Sequence, residues 1–211
     1  MSRKPAPPKP VPKKPGHVEV VRAIYAYAAQ QVDELSFEEG DTLYITEKNE
    51  DGWWRARCNK KAGLIPSNYI EGNTETIVNP LHEAAKRGNL PFVDECLANR
   101  VSVNGLDKSG STALHWAASG GHTECAQAIL KVQNVELNAQ NKLGDTPLHN
   151  AAWKGHADVV ALLLENGANT TIRNNEKQLP YDLSAKNPEV GRLLMIRDSG
   201  GAEYGEDEDS D

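Results

Sequence analysis

Three segments of this chain carry nearly the same seven-residue text. Asn79-Pro80-Leu81-His82-Glu83-Ala84-Ala85 aligns with Thr112-Ala113-Leu114-His115-Trp116-Ala117-Ala118 and with Thr146-Pro147-Leu148-His149-Asn150-Ala151-Ala152. The Leu-His pairs lie 33 and 34 residues apart. Gly88-Asn89, Gly121-His122 and Gly155-His156 recur at one offset, as do Val103-Asn104 and Leu137-Asn138. A fixed period of this size marks stacked supersecondary units, none of which buries its apolar face alone. The repeated residues make sense as scaffold. Asn79 and Thr146 are expected to cap helices whose first residue is proline, where no amide donor is needed. Paired alanines let helices approach closely, and the glycines end one helix before the next begins. Leu130, Leu163 and Leu164 fall on the inward face of second helices.

This text resembles the ankyrin repeat. The copies span 79–110, 111–144 and 145–177, and a weaker fourth over 178–197, starting at Leu179-Pro180-Tyr181-Asp182-Leu183, reads as a partial cap. Five of the six histidines (82, 115, 122, 149, 156) fall at repeated positions. Equivalent positions in successive helices lie about 8–10 Å apart, whereas zinc nitrogens must sit about 2.0–2.1 Å from the ion. These histidines are therefore read as structural, and no metal site is expected. Cys96 and Cys125 align with aliphatic positions and read as small buried hydrophobes; Cys58 has no assigned role.

Ahead of the repeats, residues 18–72 change texture. Thr42-Leu43-Tyr44-Ile45-Thr46, Trp53-Trp54-Arg55-Ala56-Arg57-Cys58 and Gly63-Leu64-Ile65-Pro66 are short β-type runs after turn signals at Glu50-Asp51-Gly52 and Asn59-Lys60-Lys61. Such spacing suggests a small antiparallel barrel. Ala23-Ile24-Tyr25-Ala26-Tyr27, Asp33-Glu34-Leu35-Ser36-Phe37, Glu39-Gly40-Asp41, Trp53-Trp54 and Gly63-Leu64-Ile65-Pro66-Ser67-Asn68-Tyr69 resemble the SH3 domain in order and spacing. The resemblance implies a groove for polyproline II ligands, whose prolines sit between aromatic rings. Its walls would be Tyr25, Tyr27, Trp53, Pro66 and Tyr69, with Asn68 donating to ligand carbonyls. Glu34, with Asp33, Glu50 and Asp51, would receive the ligand's Arg or Lys. Trp54, on the opposite strand face from Trp53, reads as structural. Ala26 replaces a common Asp, and Leu64 a common aromatic at the groove's edge.

Charge is distributed unevenly around these units. Residues 1–17 carry five bases (Arg3, Lys4, Lys9, Lys13, Lys14), no acid and six of the twelve prolines. Residues 198–211 carry seven acids and no base. Both lack apolar residues to offset ordering entropy and are expected to be disordered tails. Lys4-x-x-Pro7-x-x-Pro10 and Lys9-x-x-Pro12-x-x-Pro15 have the form SH3 grooves accept, and any Lys/Pro-rich segment generates such matches by chance. A net charge of −7 argues against nucleic acid as a partner. No apolar run approaches the ~18 residues of a membrane span, and three cysteines without paired spacing suit a reducing, cytoplasmic location.

Positions that the repeat scaffold leaves free carry the remaining information. In the first helices these are Lys86-Arg87, Ser119-Gly120 and Trp153-Lys154; at the turn tips they are Lys108-Ser109 and Lys142-Leu143. The set has five bases and no acid, and Trp153 is a solvent-facing indole of the kind that anchors interfaces. Lys86, Arg87, Lys108, Ser119, Lys142, Trp153 and Lys154 form the candidate partner face, expected to take acidic peptides; ordinary solvated surface is the alternative for its bases. Trp116 is assigned to the core. The expected architecture is a multidomain chain: an all-β SH3 barrel, a connection over 73–78, then an all-α ankyrin solenoid between disordered tails. The whole resembles the osteoclast-stimulating factor 1 family, which implies a monomeric adaptor joining Pro-rich signalling proteins to ankyrin-bound partners and promoting osteoclast formation indirectly. The alternative is a regulatory subunit whose repeats inhibit or position an enzyme while the SH3 domain tethers it. No catalytic constellation, phosphate-cradling glycine motif or cofactor site is present in the sequence.

Overall fold

The structure, a computed structural model, describes residues 18–50, 52–70, 72 and 74–198. Asp51, the Pro/Lys-rich head with both of its proline motifs, and the acidic tail from 199 lie outside the described residues. The chain divides into two compact units, changing over between Thr76 and Ile77.

The first unit is a five-stranded antiparallel sheet of β1 (Glu19–Ala23), β2 (Thr42–Lys48), β3 (Trp53–Cys58), β4 (Lys61–Pro66) and β5 (Thr74–Thr76), with one helical turn, α1 (Ser67–Ile70), between the last two. The strand order is β4-β3-β2-β1-β5. The β3–β4 hairpin turns on Asn59 and Lys60 at φ 48° and 66°, the paired positive values that a right-twisted two-residue turn requires. Lys61, expected in that turn, instead opens β4 opposite Cys58. Alternate residues of β3 point inward, so Trp54, Ala56 and Cys58 join Leu43, Ile45 and Ile65 in the core. Cys58 is thus a packing residue. β5 corrects the expected boundary, because Thr74–Thr76 falls inside the connection assigned to 73–78, yet pairs with β1 through Val21 and Thr76. Three polar residues are too few to show a strand period, and the pairing partner lies some fifty residues away.

The second unit is helical. First helices α2 (Pro80–Arg87), α4 (Ala113–Gly120) and α6 (Pro147–Lys154) stack on one another, as do second helices α3 (Leu90–Ala98), α5 (Thr123–Leu130) and α7 (Ala157–Glu165). In the fourth copy a 3-10 turn (Asp182–Ser184) replaces the first helix, and α8 (Pro188–Asp198) closes the stack. α8 runs through Asp198, which the sequence assigned to the acidic tail. The alanine pairs 84/85, 117/118 and 151/152 are buried between the stacked helices. Leu163 and Leu164 are buried as expected, whereas Leu130 is half-exposed and Ile129 takes the core position in α5.

The Leu-His text acts as a pair of hydrogen-bonded staples. His115 Nδ1 accepts from the Thr112 amide at 3.1 Å and lies 2.9 Å from the Thr112 hydroxyl, while Nε2 reaches the Asp145 carbonyl of the next repeat at 3.0 Å. His149 repeats this with Thr146 and the Gln178 carbonyl. His82 bonds the Gly105 and Ser111 carbonyls through Nε2, but its buried Nδ1 has no partner. The cause is Asn79. It sits at φ 52°, ψ 54° and forms no side-chain cap, contrary to the expected capping role. The second histidine row stitches the helix turns: Nε2 of His122 and His156 bond the carbonyls of Lys86 and Ser119. Gly121 (φ 70°) lies beneath the His156 ring, where a Cβ would stand 2.7 Å from Nδ1. These histidines, like buried Cys96 and Cys125, serve the scaffold.

Candidate functional site

The candidate groove forms where the irregular segments of the barrel meet the β3–β4 edge. Register places Trp53 opposite Pro66 on adjacent strands, and the Ser67 amide donates to the Gly52 carbonyl at 2.8 Å, fixing α1 beside Trp53. α1 carries exposed Asn68 and half-buried Tyr69. The Tyr69 ring packs against Tyr27 at 4.9 Å between centroids, and Tyr27 packs on Phe37 at 5.7 Å. Tyr25 stands 60% exposed two residues from Tyr27. The six candidates thus lie on three short segments, with Tyr25 and Tyr27 on the first, Trp53 on the second and Pro66, Asn68 and Tyr69 on the third. The Tyr27–Tyr69 contact joins the first to the third, and the Trp53–Pro66 register joins the second to it. Trp54 faces the other way, 7% exposed in the core with the Lys48 ammonium 3.9 Å over its ring.

Glu34 is more engaged than a free acceptor of ligand cations would be. Its Oε2 accepts from the Gln30 amide and the Tyr27 hydroxyl, both at 2.7 Å. These donors, the Gln30 amide first, hold its carboxyl below the usual carboxylate range. Burial, reinforced by that same bond, pushes the Tyr27 phenol up to about 12, so it remains the donor at any physiological pH. Asp33 is exposed while its carbonyl accepts from the Leu64 amide at 2.8 Å, tying the loop that carries both acids to β4. Gly63 permits that crossing, since a Cβ there would lie 2.9 Å from the Asp33 carbonyl oxygen and 3.0 Å from the Leu35 nitrogen. Gly63→Ala is expected to shift the acidic loop, weakening Pro-rich peptide binding several-fold and costing about 1–3 kcal/mol of barrel stability. Peptide titration beside thermal melts checks both. Glu50 is exposed within the β2–β3 turn, and no hydrogen bond or ion pair among the described residues joins it to Glu34.

On the repeats, the candidate residues separate into two groups. Lys86, Ser119 and Trp153 are equivalent positions in α2, α4 and α6, and Arg87 and Lys154 follow in sequence. Residues three apart share a helix face, so the row Glu83, Trp116, Asn150 lies beside them. Lys86 Nζ sits 4.7 Å over the Trp116 ring, and Lys154 Nζ sits 4.1 Å over that of Trp153, which is 61% exposed. Arg87 pairs with Glu83 at 3.3 Å. Lys108 and Lys142 stand apart at exposed tips of successive turns, which are linked by the Lys142 amide and the Ser109 carbonyl at 3.0 Å.

Trp116 is the residue that the sequence misassigned. It is half-exposed rather than core, and its indole donates to Asp107 Oδ2 at 2.8 Å. Asp107 is partly buried, which opposes ionisation, but donors from Ser109, Trp116 and Ser111 outweigh this and draw its carboxyl down to about 2. A fixed carboxylate thus pins the indole beside Lys86. The available clue was spacing: Trp116 lies one helical turn before Ser119, a position already assigned to the free face.

An aromatic groove on a small barrel and a basic, indole-bearing face on a helical stack define a signalling adaptor made of protein-binding modules. Residues 22–67 match the SH3 domain family, and residues 78–200 match ankyrin repeats in three copies. Osteoclast-stimulating factor 1 of Bos taurus is 55% identical over 213 residues, covering 97% of this chain and 98% of that protein. The protein of the same name from Xenopus laevis is 56% identical with the same coverage, and that of Danio rerio is 48% identical over 211 residues, covering 97% and 99%. The chain belongs to the osteoclast-stimulating factor 1 family. Both of its modules are protein-interaction modules, and no helix among the described residues is long and apolar enough to cross a membrane.

Proposed function

We propose that the SH3 groove binds Pro-rich signalling proteins through Tyr25, Tyr27, Trp53, Pro66, Asn68 and Tyr69, with Asp33, Glu34, Glu50 and Asp51 meeting the ligand's base. The helix face of the repeats, centred on Lys86, Trp116, Trp153 and Lys154, takes a different protein with an acidic segment. The adaptor works as a monomer in the cytoplasm without catalysis of its own. From the name its relatives carry, it promotes osteoclast formation where the organism has bone, and does so indirectly, by joining partners. The observation that carries this reading is the pairing of Trp53 with Pro66, together with the tilted ring contact of Tyr27 and Tyr69. That arrangement leaves aromatic rings bordering a shallow surface to which a polyproline II helix is complementary.

Pull-downs with Trp53→Lys and Trp153→Ala variants test it. An adaptor loses different partners in the two cases. Loss of one principal partner in both would favour the alternative, a regulatory subunit tethered by its SH3 domain to the enzyme that its repeats control.

A further inference from the structure

The helix face of the repeats carries cations that its own carboxylates do not neutralise. Glu83 is committed to Arg87, and Asp107 to the Trp116 indole and to Ser109 and Ser111. None of the ion pairs among the described residues takes Lys86 or Lys154; each ammonium rests instead on an indole. A cation over an aromatic ring keeps its outer hemisphere open to an anion, so each Lys/Trp pair presents charge and apolar surface together.

The chain carries a segment of matching chemistry. After α8 ends at Asp198, residues 199–211 contain six acids (Glu203, Glu206, Asp207, Glu208, Asp209, Asp211), one aromatic, Tyr204, and no base. Thirteen extended residues reach about 40 Å at ~3.1 Å each. Helix stacking at about 8–10 Å per layer puts three repeat steps at roughly 30 Å, so a tail leaving the fourth copy can reach from Lys154 to Lys86. Tethering raises the local concentration of such a tail to the millimolar range, enough to fill a weak site.

We infer that residues 203–211 dock on the Lys86/Trp116/Trp153/Lys154 face of the same chain and compete there with the acidic segment of a partner. The inference rests on the reading of this face as an acidic-peptide site. It makes the tail a built-in competitor, raising the threshold an ankyrin-bound partner must exceed. Because the contact is between exposed charges, added salt weakens it.

The test compares the indole NH resonances of Trp116 and Trp153 in the full chain, in a chain ending at Asp198, and in the full-length variant Glu206→Gln/Asp207→Asn/Glu208→Gln/Asp209→Asn. The probe is a synthetic Glu/Asp octapeptide with one Tyr. Docking is expected to shift both resonances alike in the two altered chains at low salt, and high salt should erase the difference. The octapeptide should bind the altered chains several-fold tighter than the full chain, and a Lys86→Glu/Lys154→Glu variant should abolish both effects. Unchanged resonances, with the octapeptide binding all three chains equally, would overturn the docking while leaving the face as an acidic-peptide site. No octapeptide binding even to the altered chains would remove that reading as well. A shift that grows with protein concentration would place the contact between molecules and overturn the inference as stated.

Discussion

Replacing Trp53 with Lys is expected to abolish measurable binding of Pro-rich peptides while leaving the barrel folded. The indole sits half-buried at the first residue of β3, opposite Pro66, and does not belong to the core cluster. Buried aromatic anchors of peptide sites cost at least about 2 kcal/mol on truncation, some thirtyfold in affinity. A charged Lys in the groove adds the desolvation of an ammonium that would face the ligand's own base. Trp54 provides the control, since one residue along the strand it lies in the core. Trp54→Ala should cost the barrel about 3–5 kcal/mol, which a melt detects directly. Isothermal titration with a basic-x-x-Pro-x-x-Pro peptide, paired with thermal melts of both variants, separates the two roles. Binding retained by Trp53→Lys would remove the groove assignment.

The second large effect concerns the repeats. His115→Ala is expected to destabilise the helical unit by about 3 kcal/mol or more, because it opens a cavity, leaves the buried Thr112 amide unpaired and removes the inter-repeat bond to the Asp145 carbonyl, which keeps only the Asn141 amide. His82→Ala should cost less by about 1–2 kcal/mol, since His82 Nδ1 already lacks a partner. The same staples make the unit sensitive to acid. Burial lowers the pKa of His115 and His149, against the carbonyl bonds that favour the charged form. The folded state therefore prefers neutral imidazole. Stability should be full above the unfolded-state value of about 6.5 and decline as pH falls from there through the depressed folded-state values, where the unfolded chain binds more protons. Thermal melts between neutral and mildly acidic pH check the sign, and a unit whose stability rises on acidification would contradict it.

Most of this organisation was legible in the sequence because its carriers are periodic or clustered. The Leu-His text repeats at a fixed interval, and the aromatic residues of the barrel stand in a short ordered series. What escaped was set by tertiary geometry. β5 is three residues whose strand character exists only through pairing with Val21. Asn79 resembles a helix cap by residue type, but its left-handed backbone turns the amide away from that use. Glu34 looked like an open receptor for a ligand's base, and only the folded loop brings the Tyr27 hydroxyl and the Gln30 amide onto it. The repeat position of Trp116 suggests core, whereas Asp107 in the preceding turn holds the ring half-exposed. In each case the deciding partner lies elsewhere in the fold or in the backbone conformation, which composition and spacing do not report.

The central claim is that one chain holds two protein partners at once. The direct measurement is sequential capture: the full chain is loaded onto beads carrying a Pro-rich peptide, exposed to cell extract, and released with excess free peptide. Joint occupancy should yield proteins that co-elute with the chain and vanish when Lys86, Arg87 and Lys154 are reversed to Glu, with the chain itself still retained on the beads. If peptide-bound chain captures nothing that depends on the helix face, while free chain does, the two sites exclude each other and the adaptor account is wrong.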